Sequence, residues 1–136
     1  MKRSILACLA GLLTWAVVVT VINRVFRLSL PNYTAAEHTL QFTLGMKCAR
    51  LLMAIVTSLV AGAVIRWISP SSRWPPLIVG SMVLAMFAPW HIANWSKFPV
   101  WYHLTFLLTI IPGVLVGALL PPRRSPDLSH AYSGPR

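Results

Sequence analysis

Long apolar runs alternate with short polar segments along the chain. Runs at 4–22, 42–65, 76–92 and 100–120 each approach the about 20 residues that a helix needs to cross a hydrocarbon core, and segments rich in Trp, Pro, Ser and Arg separate them. The pattern predicts an all-α membrane protein, a four-transmembrane-helix bundle with helices at about 4–22, 35–68, 76–92 and 100–120. These form a single domain over residues 1–120, followed by a disordered basic cytoplasmic tail at 121–136. The second helix is drawn to begin ahead of its apolar run because Thr34-Ala35-Ala36-Glu37 has the form of a capping box. Glu37, His38 and Gln41 then lie on an exposed first turn.

Periodicity within the spans separates their faces. At 100° per residue, Lys47, Arg50, Ala54, Thr57, Ser58 and Ala61 share one side of the second helix, while Leu52, Ile55, Val56, Leu59 and Val60 fall opposite. Small residues mark helix contacts in membranes, so Ala54 and Ser58 are expected to pack and the two bases to face the bundle. In the fourth helix His103 shares a face with Phe106, Ile110, Gly113 and Gly117, the glycines forming G-x-x-x-G. His91 aligns with Phe87, Leu84 and Gly80 in the third. Trp67 and Trp74 at one side, and Trp90, Trp95 and Trp101 at the other, are expected as membrane-interface anchors.

Composition agrees with the spans and adds charge. The chain is 57% hydrophobic and 10% charged, with a mean hydropathy of +0.70, outside the soluble globular range. Twelve Lys and Arg oppose two acids, Glu37 and Asp127, for a net charge of +10. With the bases placed between apolar spans, anionic lipid headgroups and membrane orientation account for this balance, and no nucleic-acid partner is expected. Placing the N-terminus inside leaves Lys2, Arg3, Arg66, Arg73, Arg123, Arg124 and Arg136 cytoplasmic, against Arg24, Arg27, Lys47, Arg50 and Lys97 outside, so both termini are expected to be cytoplasmic. The first apolar run is too long for a signal peptide and has no A-x-A site, which makes it an uncleaved span. Cys8 and Cys48 show no metal-ligand spacing. Small size and short loops point to a bacterial inner membrane.

The candidate chemistry gathers at the outer end of the bundle. Lys47 and Arg50 interrupt the second span, and the 15 apolar residues after them reach only about 22 Å, short of a core of about 30 Å. Lys47, Arg50, His91 and His103 are therefore the candidate anion- or lipid-binding residues. With Glu37 placed a turn or more outside, their counter-ion is expected from elsewhere: an anionic lipid, a small anion, or an acidic residue on another membrane protein or a second copy of this chain. The function expected is a non-enzymatic accessory or lipid-binding subunit. Two alternatives stand beside it, a haem- or metal-binding redox subunit using His91 and His103, and a component of an oligomeric anion transporter. No catalytic residue is assigned: the chain has no H-E-x-x-H, no G-x-S-x-G, no phosphate-binding glycine loop and no carboxylate pair. No resident cofactor is expected outside the haem alternative.

Overall fold

A computed structural model describes residues 2–120, which form five α-helices and no strand. Four of the helices are long and apolar enough to cross a membrane: α1 (Lys2–Ser29), α3 (Leu44–Ile68), α4 (Trp74–Ala93) and α5 (Val100–Leu119). A short α2 (Tyr33–Thr39) lies between the first two, and a 3-10 turn at Trp95–Lys97 joins α4 to α5. The tail at 121–136 lies outside the described residues.

Two elements differ from the sequence expectation. The helix drawn from 35 to 68 is two helices, because the chain turns at Leu40, whose φ of 58° is left-handed. The capping box is not used: α2 starts after Asn32, also left-handed at φ 61°, without a side-chain cap. The cap belongs to α3, where the Thr43 hydroxyl accepts from the Met46 amide at 3.3 Å. Charge explains the exchange, since the Glu37 carboxylate finds guanidinium partners, which bind it more strongly than a backbone amide does. The first helix also outlasts its apolar run, continuing through Asn23 and Arg27 to Ser29. No breaker occurs there until Pro31, and the residue before a proline is disfavoured in helix.

The long helices form a ring in the order α1, α3, α5, α4, with α3 and α5 in parallel and in the tightest contact. Glycine makes that contact possible. A Cβ on Gly62 would sit 2.1 Å from the Val114 carbonyl oxygen, and one on Gly117 would sit 2.1 Å from that of Leu59. Ser58 rests against Gly113, where an added Cβ would lie 2.8 Å from the serine Cβ. The buried face of α3 is Leu51, Met53, Ala54, Thr57, Ser58, Ala61, Gly62 and Ile65. On the other side of Ser58, the indole of buried Trp15 donates to its hydroxyl at 3.3 Å, tying α1 to α3. Pro75 and Pro76 stand in the first turn of α4, where a missing amide costs nothing.

Gly62→Ala and Gly117→Ala should each destabilise the protein by about 1–3 kcal/mol through overpacking. Gly45→Ala, whose Cβ would meet nothing within 4 Å, should be neutral or stabilising by up to about 1 kcal/mol. Thermal unfolding in one detergent ranks the three. The same assay tests Thr57→Val: the Thr57 hydroxyl is buried without a hydrogen-bond partner among the described residues, so its removal should raise stability by about 1 kcal/mol.

Candidate functional site

Arg50 lies two turns into α3, at the end of the bundle that α2 covers. Its side chain is only 19% exposed, and the neighbouring elements supply what water would otherwise provide. Nη1 donates to the Tyr33 hydroxyl of α2 at 2.9 Å, and Nε to the Tyr102 hydroxyl of α5 at 3.3 Å. The guanidinium carbon stands 4.7 Å from the centre of the Phe42 ring, within cation–π range. The Tyr33 hydroxyl passes its own hydrogen to Asn23 Oδ1 at 2.9 Å, and Asn23 Nδ2 donates to Glu37 Oε1 at 3.1 Å. That same oxygen is 3.5 Å from Arg50 Nη1. Arg50, Tyr33, Asn23 and Glu37 thus close a ring of polar contacts drawn from three helices.

Glu37 is the correction to the sequence reading. Instead of standing apart from the bases, it meets Arg50 and also accepts from Arg27 Nε at 2.6 Å. The turn at Leu40 folds α2 back over the start of α3, and the last two turns of α1 rise to meet it. Burial acts to raise the Glu37 carboxyl, but hydrogen bonds from Arg27 and Asn23 and the charges of Arg27 and Arg50 outweigh it and hold the group below its ordinary value. Burial pushes the Tyr33 phenol up, against the charge and hydrogen bond of Arg50, so the hydroxyl keeps its hydrogen and donates it to Asn23 Oδ1.

The four residues proposed from the sequence separate here. Arg50 and His91 line one cavity, of about 290 Å³, together with Glu37, Phe42, Trp90 and Tyr102. His103 stands behind His91, the two Nδ1 atoms 2.8 Å apart, and its Nε2 is 3.2 Å from the Trp95 carbonyl. Lys47 lines neither of the cavities around Arg50, and its side chain forms no hydrogen bond or ion pair among the described residues. The short turn between α4 and α5 brings the histidines to one depth. Their contact is a hydrogen bond, shorter than the about 3.3 Å between two nitrogens held tetrahedrally at about 2.0 Å from one metal. His103 is left without a free ring nitrogen, and no group of three metal-ligating side chains occurs among the described residues.

Comparison with known protein families, curated proteins and solved structures finds no match.

The larger cavity at this end, about 470 Å³, lies between α1 and α3, with Phe87 of α4 and Phe106 of α5 behind it. Its polar part carries Arg24, Arg27 and Arg50, and its apolar wall is Trp15, Val19, Met53, Phe87 and Phe106. Asn23, Arg24, Arg27, Tyr33 and Tyr102 were not singled out from the sequence. One signal was present: Asn23 and Arg27 are spaced i, i+4 and so share a face of the first helix. The tryptophans also divide. Trp67 and Trp74 are 76% and 70% exposed, whereas Trp95 stacks on His103 at 4.6 Å and Trp90 packs edge-on to His91.

A carboxyl held below its ordinary value in the folded state adds stability that is complete above 4.5 and lost as pH falls below that, through the depressed value. Hydrogen exchange corrected for intrinsic rates should therefore show α2 amides protected at neutral pH and opening in that acid window. Glu37→Gln should lower the protection at neutral pH and flatten its pH dependence.

Proposed function

We propose that this chain is a non-enzymatic integral membrane protein, an accessory or lipid-binding subunit, that holds an anionic amphiphile in the cavity between α1 and α3. The ligand class is a phospholipid or an isoprenoid phosphate, and the site faces the outer side of a bacterial inner membrane. One observation carries the reading: three guanidiniums, those of Arg24, Arg27 and Arg50, share this cavity with a continuous apolar wall. A single carboxylate, Glu37, partners two of them, which leaves an excess of positive charge. Arginine suits phosphate because its fork of N–H donors matches two oxygens at once, and the apolar wall suits an acyl or prenyl chain. Lys47 is not part of this site. Its place is taken by Arg24 and Arg27 of α1.

The test is native mass spectrometry with lipid identification on protein purified in mild detergent. Wild type should retain one anionic lipid class. Arg50→Ala should lose it, and Arg24→Gln should weaken retention about tenfold, the scale of a charge-assisted hydrogen bond. Arg24 is exposed and outside the Arg50 ring of contacts, so its variant should keep the wild-type melting temperature. Equal, nonselective lipid in all three proteins would make the arginines ordinary headgroup-facing bases and end the proposal. Displacement of the lipid by millimolar inorganic phosphate would replace the amphiphile with a small anion.

A further inference from the structure

The smaller cavity is chemically unlike the larger one. Phe42, Trp90, Tyr102 and Phe106 present aromatic surface around Arg50, Glu37 and His91. The hydrogen-bond chain behind it fixes the tautomer of His91. A carbonyl oxygen can only accept, so His103 carries its hydrogen on Nε2, toward Trp95. With both rings neutral, His103 Nδ1 is then an acceptor, and the 2.8 Å contact requires His91 to donate from Nδ1. His91 Nε2 is left as a bare acceptor on a residue that lines the cavity. Tyr102 accepts from Arg50 through its oxygen, and its own hydrogen has no acceptor among the described residues. The acceptor and the donor thus belong to two side chains that line one aromatic-walled space of about 290 Å³, large enough for a single sugar ring.

Resting on the reading of an anionic amphiphile, we propose that this cavity selects the headgroup beyond the phosphate, and that the headgroup is a neutral polyol, a glycerol or one sugar. Arg50, Phe87 and Phe106 line both cavities. A phosphodiester held by Arg50 therefore sits at their junction, with its lipid ester toward the α1 side and its second ester toward His91. Hydroxyls donate and accept together, which is what Tyr102 O–H and His91 Nε2 require. An apolar headgroup leaves both unpaired, and such sites discriminate strongly against analogues that lack the hydroxyl. An ammonium headgroup brings its charge against Arg50.

Three lipids of equal charge test the inference: phosphatidylinositol, phosphatidylglycerol and phosphatidylethanol, with phosphatidylcholine as the zwitterionic reference. Wild type in detergent should bind the first two at least about fivefold more tightly than phosphatidylethanol, roughly one hydrogen bond's worth of selectivity. His91→Phe, which removes the acceptor, and Leu40→Trp, which fills the cavity from the turn after α2, should each reduce that ratio to below about twofold. Both should still prefer phosphatidylethanol to phosphatidylcholine. Wild type that prefers all three anionic lipids equally over phosphatidylcholine overturns the polyol inference and leaves the anionic site standing. Wild type with no preference over phosphatidylcholine overturns the anionic site itself. Polyol selectivity that persists in both variants overturns the assignment to this cavity.

Discussion

A guanidinium set two turns into a largely apolar helix and kept from water has to be solvated by the protein around it. Removing a charge from water costs several kcal/mol per ion unless partners and hydrogen bonds replace the lost shell. At Arg50 the replacement comes from two tyrosine hydroxyls, one carboxylate and one aromatic face. The surrounding backbone is arranged to deliver them. The first helix continues past its apolar run so that Asn23 and Arg27 reach Glu37. The second folds back through a left-handed leucine, a conformation that costs about 1–2 kcal/mol for an L-residue. A strained turn is accepted where it brings a counter-charge to a buried cation.

The second constraint is the glycine contact between α3 and α5. With backbone against backbone over Gly62 and Gly117, these two helices form the closest pair of the bundle, and Tyr102 is brought alongside Arg50. The opposite side of the ring is looser: α1 and α4 meet through Trp15 and Phe87, whose rings lie 5.1 Å apart, and beside this contact lies the larger cavity. Tight packing on one side and aromatic spacing on the other place open volume next to the charge.

Four long apolar helices and the inward face of α3 were legible because both follow from local rules: length, hydropathy and a 3.6-residue period. Arg50 was found as an intruder in an apolar run. Its partners on α2 were not found, because Tyr33 and Glu37 reach it only through the turn at Leu40, and no sequence rule expects leucine in a left-handed conformation. The capping-box pattern at Thr34 actively misled, since it assumed that Glu37 would serve the backbone when two guanidiniums were within reach. Lys47 shares a helix face with Arg50 yet takes no part in its contacts, so a shared face did not amount to a shared site. The histidine pair was legible as two rings at one depth. Their bonding to each other depended on the three-residue turn at Trp95–Lys97.

The glycine seam also has a meaning in time. α5 is the last long helix of the described chain, yet it forms the closest contact, with a helix completed some thirty residues earlier. Until it has been synthesised, Gly62 faces an unfilled groove and Arg50 lacks the Tyr102 hydroxyl. The bundle therefore cannot mature helix by helix as it emerges. Its tightest interface and its polar centre are completed together, by α5.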